Sequence, residues 1–230
     1  MLGVKKSLMT CNGTNALVVG LNQLGIGAGD EVLVPPYTFI ATIQAVTTNG
    51  AMPVFVDVDP DTYQMDPSKI EAKITPRTKA IIPVHILGMP ADMDKIMAIA
   101  KKHNLIVLED ACQAHLAEVN GKKVGTIGHA GCFSFQTSKI LAVGEGGALV
   151  SNDEDLMNRA YSFHNLGLPF GLAPGAVASG AVRQGSKTRI AEPLAAVGLV
   201  QMKRLQEQVD TRHANAQYLT SKIKHIPGIV

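Results

Sequence analysis

The sequence predicts an α/β fold: a mainly parallel seven-stranded sheet with helices on both faces. Two observations carry that reading. Short β-rich runs alternate with segments of helical apolar spacing along most of the chain, the order that builds a parallel sheet covered on both sides. The chain is also 230 residues long and 46% hydrophobic, enough to bury a substantial core.

In order, strands are expected at residues 7–11, 31–34, 53–58, 80–84, 105–108, 131–135 and 148–151. Helices are expected at 14–24, 38–48, 68–74, 93–103 and 154–164 from apolar spacing and polar starts. Gly25-Ile26-Gly27-Ala28-Gly29-Asp30 superficially resembles a dinucleotide loop, but it follows a helix and precedes a strand, so it reads as a connection. The stretch from Gly167 to Gly185 holds Gly171, Gly175 and Gly180 with Pro169 and Pro174. A loop of that length is either a functional or mobile segment or a surface excursion. From 192 to 223 the helical pattern is nearly continuous, ending before Pro227-Gly228. No internal repeat or low-complexity tract is evident.

The charge balance of 21 basic against 19 acidic residues, net +2, has no block of like sign, so neither nucleic acid nor an anionic membrane surface is an expected partner. Cys11, Cys112 and Cys132 cannot all pair, and their spacing suits neither a disulfide scaffold nor a metal cluster. A reducing cytoplasm is the expected location. The first residues lack the apolar stretch of a signal peptide, and no span of about 18 apolar residues suggests a membrane helix.

The chemistry centres on Lys139 and Asp110. Lys139 follows Cys132-Phe133-Ser134-Phe135-Gln136-Thr137-Ser138 and precedes Gly144-Glu145-Gly146-Gly147. A lysine enclosed by apolar and small residues is costly when charged and tends toward the neutral amine that Schiff-base chemistry requires. Upstream, Val107-Leu108-Glu109-Asp110 is an apolar run ending in carboxylates, at the strand end where α/β sheets gather ligands. A Schiff-base lysine with an aspartate for a pyridinium nitrogen is the pairing that pyridoxal 5'-phosphate (PLP) enzymes need. Each half alone is weak, since an isolated lysine is ordinarily a solvated surface residue. A phosphate site is expected where the first strand runs through Asn12-Gly13-Thr14-Asn15 into a helix. Gly13 permits close approach, Thr14 offers a hydroxyl, and the helix N-terminus supplies free N–H groups; a plain N-cap is the ordinary alternative.

These motifs, with Pro36-Tyr37-Thr38-Phe39-Ile40-Ala41-Thr42, Val56-Asp57-Val58-Asp59-Pro60, Pro83-Val84-His85 and Glu109-Asp110-Ala111-Cys112-Gln113-Ala114, resemble the DegT/StrS family of PLP-dependent sugar aminotransferases, in order over nearly the whole chain. The resemblance implies the large domain of an aspartate-aminotransferase-like fold and a homodimer with active sites near the subunit interface. Residues 1–205 would form the PLP-binding large domain, incomplete at its N-terminus. Residues 206–230 would be a connecting helix toward a small domain that is absent.

By the same resemblance, Lys139 holds PLP through a Schiff base and moves the proton between the amine carbon and the cofactor. Asp110 keeps the pyridine nitrogen protonated, Gln113 lies near the ring's phenolic oxygen, and Phe39 stacks on the ring. Gly13, Thr14 and Ser134 form the phosphate cradle. His85 falls in a matching motif but reads as a packed, hydrogen-bonded residue. Lys187 stands where the family usually carries an asparagine that reaches the partner's cofactor phosphate; its charge can still pair with phosphate. The implied reaction is ping-pong transfer of an amino group from glutamate or glutamine to a keto group on a nucleotide-linked sugar, with no metal. A cyclitol ketone is the alternative acceptor, suggested by the wording of residues 134–139. A non-catalytic scaffold or dimerisation partner is the reading from another class. The presence of Lys139 argues against the dehydratase relatives, which replace it.

Overall fold

A computed structural model describes residues 1–171 and 180–229, so part of the 167–185 loop, including Pro174 and Gly175, lies outside the described residues. Its centre is a seven-stranded sheet in the order β1-β9-β8-β5-β4-β2-β3. The strands are β1 (Lys6–Thr10), β2 (Glu31–Val34), β3 (Met52–Phe55), β4 (Thr78–Ile81), β5 (Ile106–Asp110), β8 (Ala130–Ser134) and β9 (Gly147–Ser151). Neighbours from β8 to β3 pair in parallel, while β9 runs antiparallel to both β1 and β8. Six strands therefore share one direction, and the mainly parallel sheet expected from the sequence is what forms.

Successive residues of a strand face opposite sides of the sheet, and here both sides are buried. Val32 and Val34 join one apolar cluster while Leu33 joins another; Ala80 and Ile82 divide from Ile81 in the same way, and Leu108 from Val107. One face is covered by α1 (Gly13–Gln23), α2 (Ile40–Thr48) and α4 (Glu154–His164), the other by α3 (Met93–His103) and, beside β8 and β9, the segment around Leu194 and Leu205. Among the described residues no helix is long and apolar enough to cross a membrane.

Several elements differ from expectation. Residues 68–74 form two single 3₁₀ turns, Pro67–Lys69 and Glu71–Lys73, because Ile70 is the only fully buried anchor there and a longer helix has no apolar stripe to hold it. The helix expected from Thr38 starts at Ile40, since Phe39 remains extended at ψ 139°. The long C-terminal helix divides into α5 (Glu192–Met202) and α6 (Leu205–Ile223). Lys203 and Arg204 donate to the carbonyls of Val200 and Gln201, tightening the last turn of α5 and ending it. A small hairpin of β6 (Glu118–Val119) and β7 (Lys122–Lys123) was not anticipated, although its turn, Asn120-Gly121, has both φ values positive, as that dipeptide favours. The Gly25–Asp30 segment is a connection, closed by the Gly27 N–H on Asp30 Oδ2 at 2.9 Å.

Candidate active site

Strand register assembles the site at one end of the sheet. Gly147 at the start of β9 lies opposite both Thr10 at the end of β1 and Ser134 at the end of β8, and Asp110 at the end of β5 pairs with Cys132. A cavity of about 500 Å³ opens over these ends. Gly13, Thr14, Phe39, Asp110, Gln113, Ser134 and Lys139 all line it; Lys187 does not. Seven of the eight residues singled out from the sequence thus meet in one cavity.

At one side, α1 begins immediately after β1. Asn12 caps it, its Oδ1 accepting from the Asn15 N–H at 2.8 Å, and the Ala16 N–H reaches the Asn12 carbonyl at 3.2 Å. The N–H groups of Gly13 and Thr14 have no protein partner among the described residues, which leaves two donors and the positive end of an 11-residue helix at the cavity wall. The close packing depends on glycine. A Cβ on Gly13 would lie 2.7 Å from Ser134 Cβ, and one on Gly147 would lie 2.5 Å from the Asn12 carbonyl carbon. Ser134 is buried, and its Oγ accepts weakly from the Gln136 N–H at 3.4 Å, so its own proton remains available.

Asp110 is buried at the cavity floor and both its oxygens are engaged. Oδ1 accepts from the Cys112 N–H at 3.1 Å and Oδ2 from the Thr42 hydroxyl at 2.8 Å. Burial and the adjacent Asp110 carboxylate push the Cys112 thiol well up, which keeps it neutral. Gln113 is fixed from outside: the Leu87 N–H donates to its Oε1 at 2.9 Å, leaving the amide NH₂ without a protein partner among the described residues. Leu87 adopts φ 57° to present that N–H.

Lys139 sits on a pinned turn. Phe135 N–H donates to Gly146, Val143 N–H to Phe135 and Thr137 N–H to Gly144, closing the base; the Lys139 N–H donates to Gln136 O at 2.8 Å. The Ser138 N–H and hydroxyl both donate to Gln136 Oε1, at 2.8 and 2.6 Å. This turn lies at the mouth of the cavity, so Lys139 is half-buried rather than enclosed among apolar residues as its sequence neighbours suggest. Phe39, which composition alone would place in the core, is 64% exposed at the rim.

Two groups beside the site serve structure. His85 Nδ1 accepts from the Ala91 N–H at 3.0 Å, which assigns the ring proton to Nε2, 3.0 Å from Glu109 Oε2. Glu109, fully buried, also accepts from the N–H groups of Gly125, Ile127 and Gly128 at 2.6–2.7 Å. Both groups are saturated, in keeping with a packing role for His85. Lys187 is exposed on the segment that follows the incompletely described loop. That segment lies along the site's edge, where Arg189 bridges Thr10 and the Cys11 N–H donates to Thr188 O at 2.7 Å. The sequence reading missed Thr38, Thr42, Gln136 and Glu145. Thr38 and Thr42 stand four residues apart in the Pro36–Thr42 motif, a spacing that can bring two side chains together, which was the available signal.

Comparison with known proteins places the chain in a family. Residues 1–230 match the DegT/DnrJ/EryC1/StrS aminotransferase family. A UDP-N-acetyl-3-dehydro-alpha-D-glucosamine 3-aminotransferase of Acidithiobacillus ferrooxidans is 54% identical over 166 residues, covering 72% of this chain and 45% of the relative. A putative L-glutamine:3-amino-2,3-dideoxy-scyllo-inosose aminotransferase of Streptoalloteichus tenebrarius is 43% identical over 227 residues, 99% of this chain and 54% of the relative. The crystal structure of an aminotransferase from Psychrobacter cryohalolentis superposes with a TM-score of 0.92 at 42% identity, over 97% of this chain and 59% of that one. The chain spans about half the length of the curated relatives it matches. With residues 1–230 matched throughout, the chain belongs to the DegT/DnrJ/EryC1/StrS aminotransferase family.

Proposed function

We propose that the protein is a PLP-dependent aminotransferase that moves an amino group from glutamate or glutamine to a keto group on a nucleotide-linked sugar. The observation that carries the reading is the convergence of Lys139, Asp110 and the Gly13–Ser134 cradle on one cavity. The residues suit PLP. Two N–H groups without a partner among the described residues, a helix N-terminus and the Ser134 hydroxyl favour an anion, and the Gly13 contact leaves no room for a side chain in the cradle. When bound, PLP supplies the electron sink for a carbanion at the amine carbon.

The chain's own residues do the rest. Gly13, Thr14 and Ser134 would hold the phosphate. Asp110 would hold the proton of the pyridine nitrogen, and its two protein donors fix the carboxylate's rotation. Gln113, its carbonyl committed to Leu87, would offer N–H to the ring's phenolic oxygen. Lys139 Nζ would accept and return the proton at the amine carbon, and the pinned turn limits its reach. Phe39 would cover the ring from the rim. Its exposure, with that of Tyr37 and Ile40, supports a homodimer that covers this rim and shares its sites. Lys187 would reach the partner's cofactor phosphate. A cytoplasmic location fits this biosynthetic chemistry.

The nucleotide-sugar acceptor is supported by the 54% identity to an enzyme named for a UDP-sugar substrate. The cyclitol alternative is supported by the 43% match that runs over 99% of this chain. Incubation with glutamate or glutamine and either a UDP-linked 3-keto sugar or 3-amino-2,3-dideoxy-scyllo-inosose, with product masses read out, tests the choice. Amination of the UDP sugar alone supports the reading, and amination of the inosose alone replaces it. A chain that never acquires PLP's near-visible absorbance would leave the scaffold reading instead.

A further inference from the structure

Thr42 is not among the residues that line the cavity, yet it is bound to Asp110, a buried carboxylate that is. It is fully buried on α2, and its hydroxyl donates to Asp110 Oδ2 at 2.8 Å across 68 residues of sequence. A threonine hydroxyl has a single proton. With that proton committed to Asp110, the 2.8 Å contact between Thr42 Oγ1 and Thr38 Oγ1 must run the other way, Thr38 donating to Thr42. Thr38 itself is half-buried and lines the cavity. The result is a directed chain, Thr38 to Thr42 to Asp110, in a buried setting where each bond polarises the next.

We propose that Thr42 is a positioning residue for the transamination argued above, with Thr38 as its outer support. This rests on that reading of the site. The Cys112 N–H alone would leave the Asp110 carboxylate free to swing about its remaining torsion. Thr42 engages the second oxygen and so presents one fixed lone pair toward the cavity. It also ties the carboxylate to α2, the helix that begins just after Phe39, so the floor and the rim of the cavity move as one unit.

Thr42→Val keeps the branch and volume but removes the donor, whereas Thr42→Ser keeps the donor and loses only a methyl. In PLP-loaded protein, Thr42→Val is expected to lower kcat about ten- to a hundredfold, the loss of one hydrogen bond to a charged group, with KM for the amino donor little changed. It should also displace the pH midpoint of the bound cofactor's absorbance, a readout that a purely structural threonine would leave in place. Thr42→Ser should restore both, and Thr38→Val should act in the same direction more weakly. On an Asp110→Asn background Thr42→Val should add almost nothing, because the carboxylate it serves is gone. A Thr42→Val enzyme that binds PLP with wild-type midpoint and kcat overturns the proposal while leaving the site's reading intact. Wild-type protein that takes up no PLP overturns both.

Discussion

Gly13 and Ser134 approach more closely than any side chain at position 13 would allow: a Cβ there would stand 2.7 Å from Ser134 Cβ and 3.2 Å from its Cα. The end of β8 and the start of α1 are thereby locked together, and the cradle between them depends on that contact. Gly13→Ala must push strand and helix apart. It is expected to destabilise the fold by about 1–3 kcal/mol, as overpacking does, and to weaken PLP binding. Gly27→Ala, whose nearest neighbour would be the Asn49 carbonyl at 3.8 Å, is the matched control and should do neither. Cofactor titration and thermal melts of both variants check this. An unchanged PLP affinity in Gly13→Ala would contradict the cradle.

His115 predicts an acid sensitivity. It is 6% exposed between Phe133 and Phe135, and among the described residues neither ring nitrogen has a hydrogen bond of good geometry. Burial lowers its pKa from 6.5 to about 4; the Ser134 backbone opposes the shift, and the Lys139 charge adds a smaller lowering. The folded state therefore resists a proton that the unfolded chain accepts. Its stabilising contribution is complete above pH 6.5 and is lost as the pH falls toward 4, amounting to about 3 kcal/mol over that window. Urea unfolding from pH 7 to pH 4 should show the wild type losing that much more than His115→Leu. Parallel curves for the two proteins would show that His115 is not the sensor.

Lys187 predicts complementation between subunits. A charge-assisted contact to phosphate is worth roughly 1.5–3 kcal/mol, so Lys187→Ala should weaken PLP binding about ten- to a hundredfold. Hybrids of Lys187→Ala with Lys139→Ala subunits would place both lesions in one site and leave the other whole. Activity should then return on mixing. Mixtures that stay as inactive as their parents, while hybrids form, would confine Lys187 to its own subunit or to no role.

Much of this was legible in the sequence because local signals and tertiary packing agree. Helices α3 and α4 begin and end where the pattern places them, since Asp92 and Asp153 cap their first turns and Asn104 takes φ 54° at the end of α3. The strands that carry Asp110 and Ser134, and the turn from the first strand into the helix at Gly13, were readable from apolar runs giving way to small, polar or acidic residues. Contacts between distant segments were not. Thr42 and Asp110 come together only through sheet order, and nothing near Thr42 announces its partner. Lys139 misled for a related reason: its apolar neighbours belong to β8 and the core, while the lysine lies on the turn beyond them. The 192–223 stretch keeps a helical pattern across Lys203 and Arg204, so periodicity alone does not register the break.

Lys139 is proposed as the amine that takes the cofactor. Reduction of the PLP-loaded protein with borohydride, followed by proteolysis and peptide mass mapping, measures this directly. The pyridoxyl mass should appear on the peptide containing Lys139 and be absent from Lys139→Ala protein treated in the same way. A label on any other lysine, or an unlabelled Lys139 peptide in protein that has taken up PLP, would contradict the account.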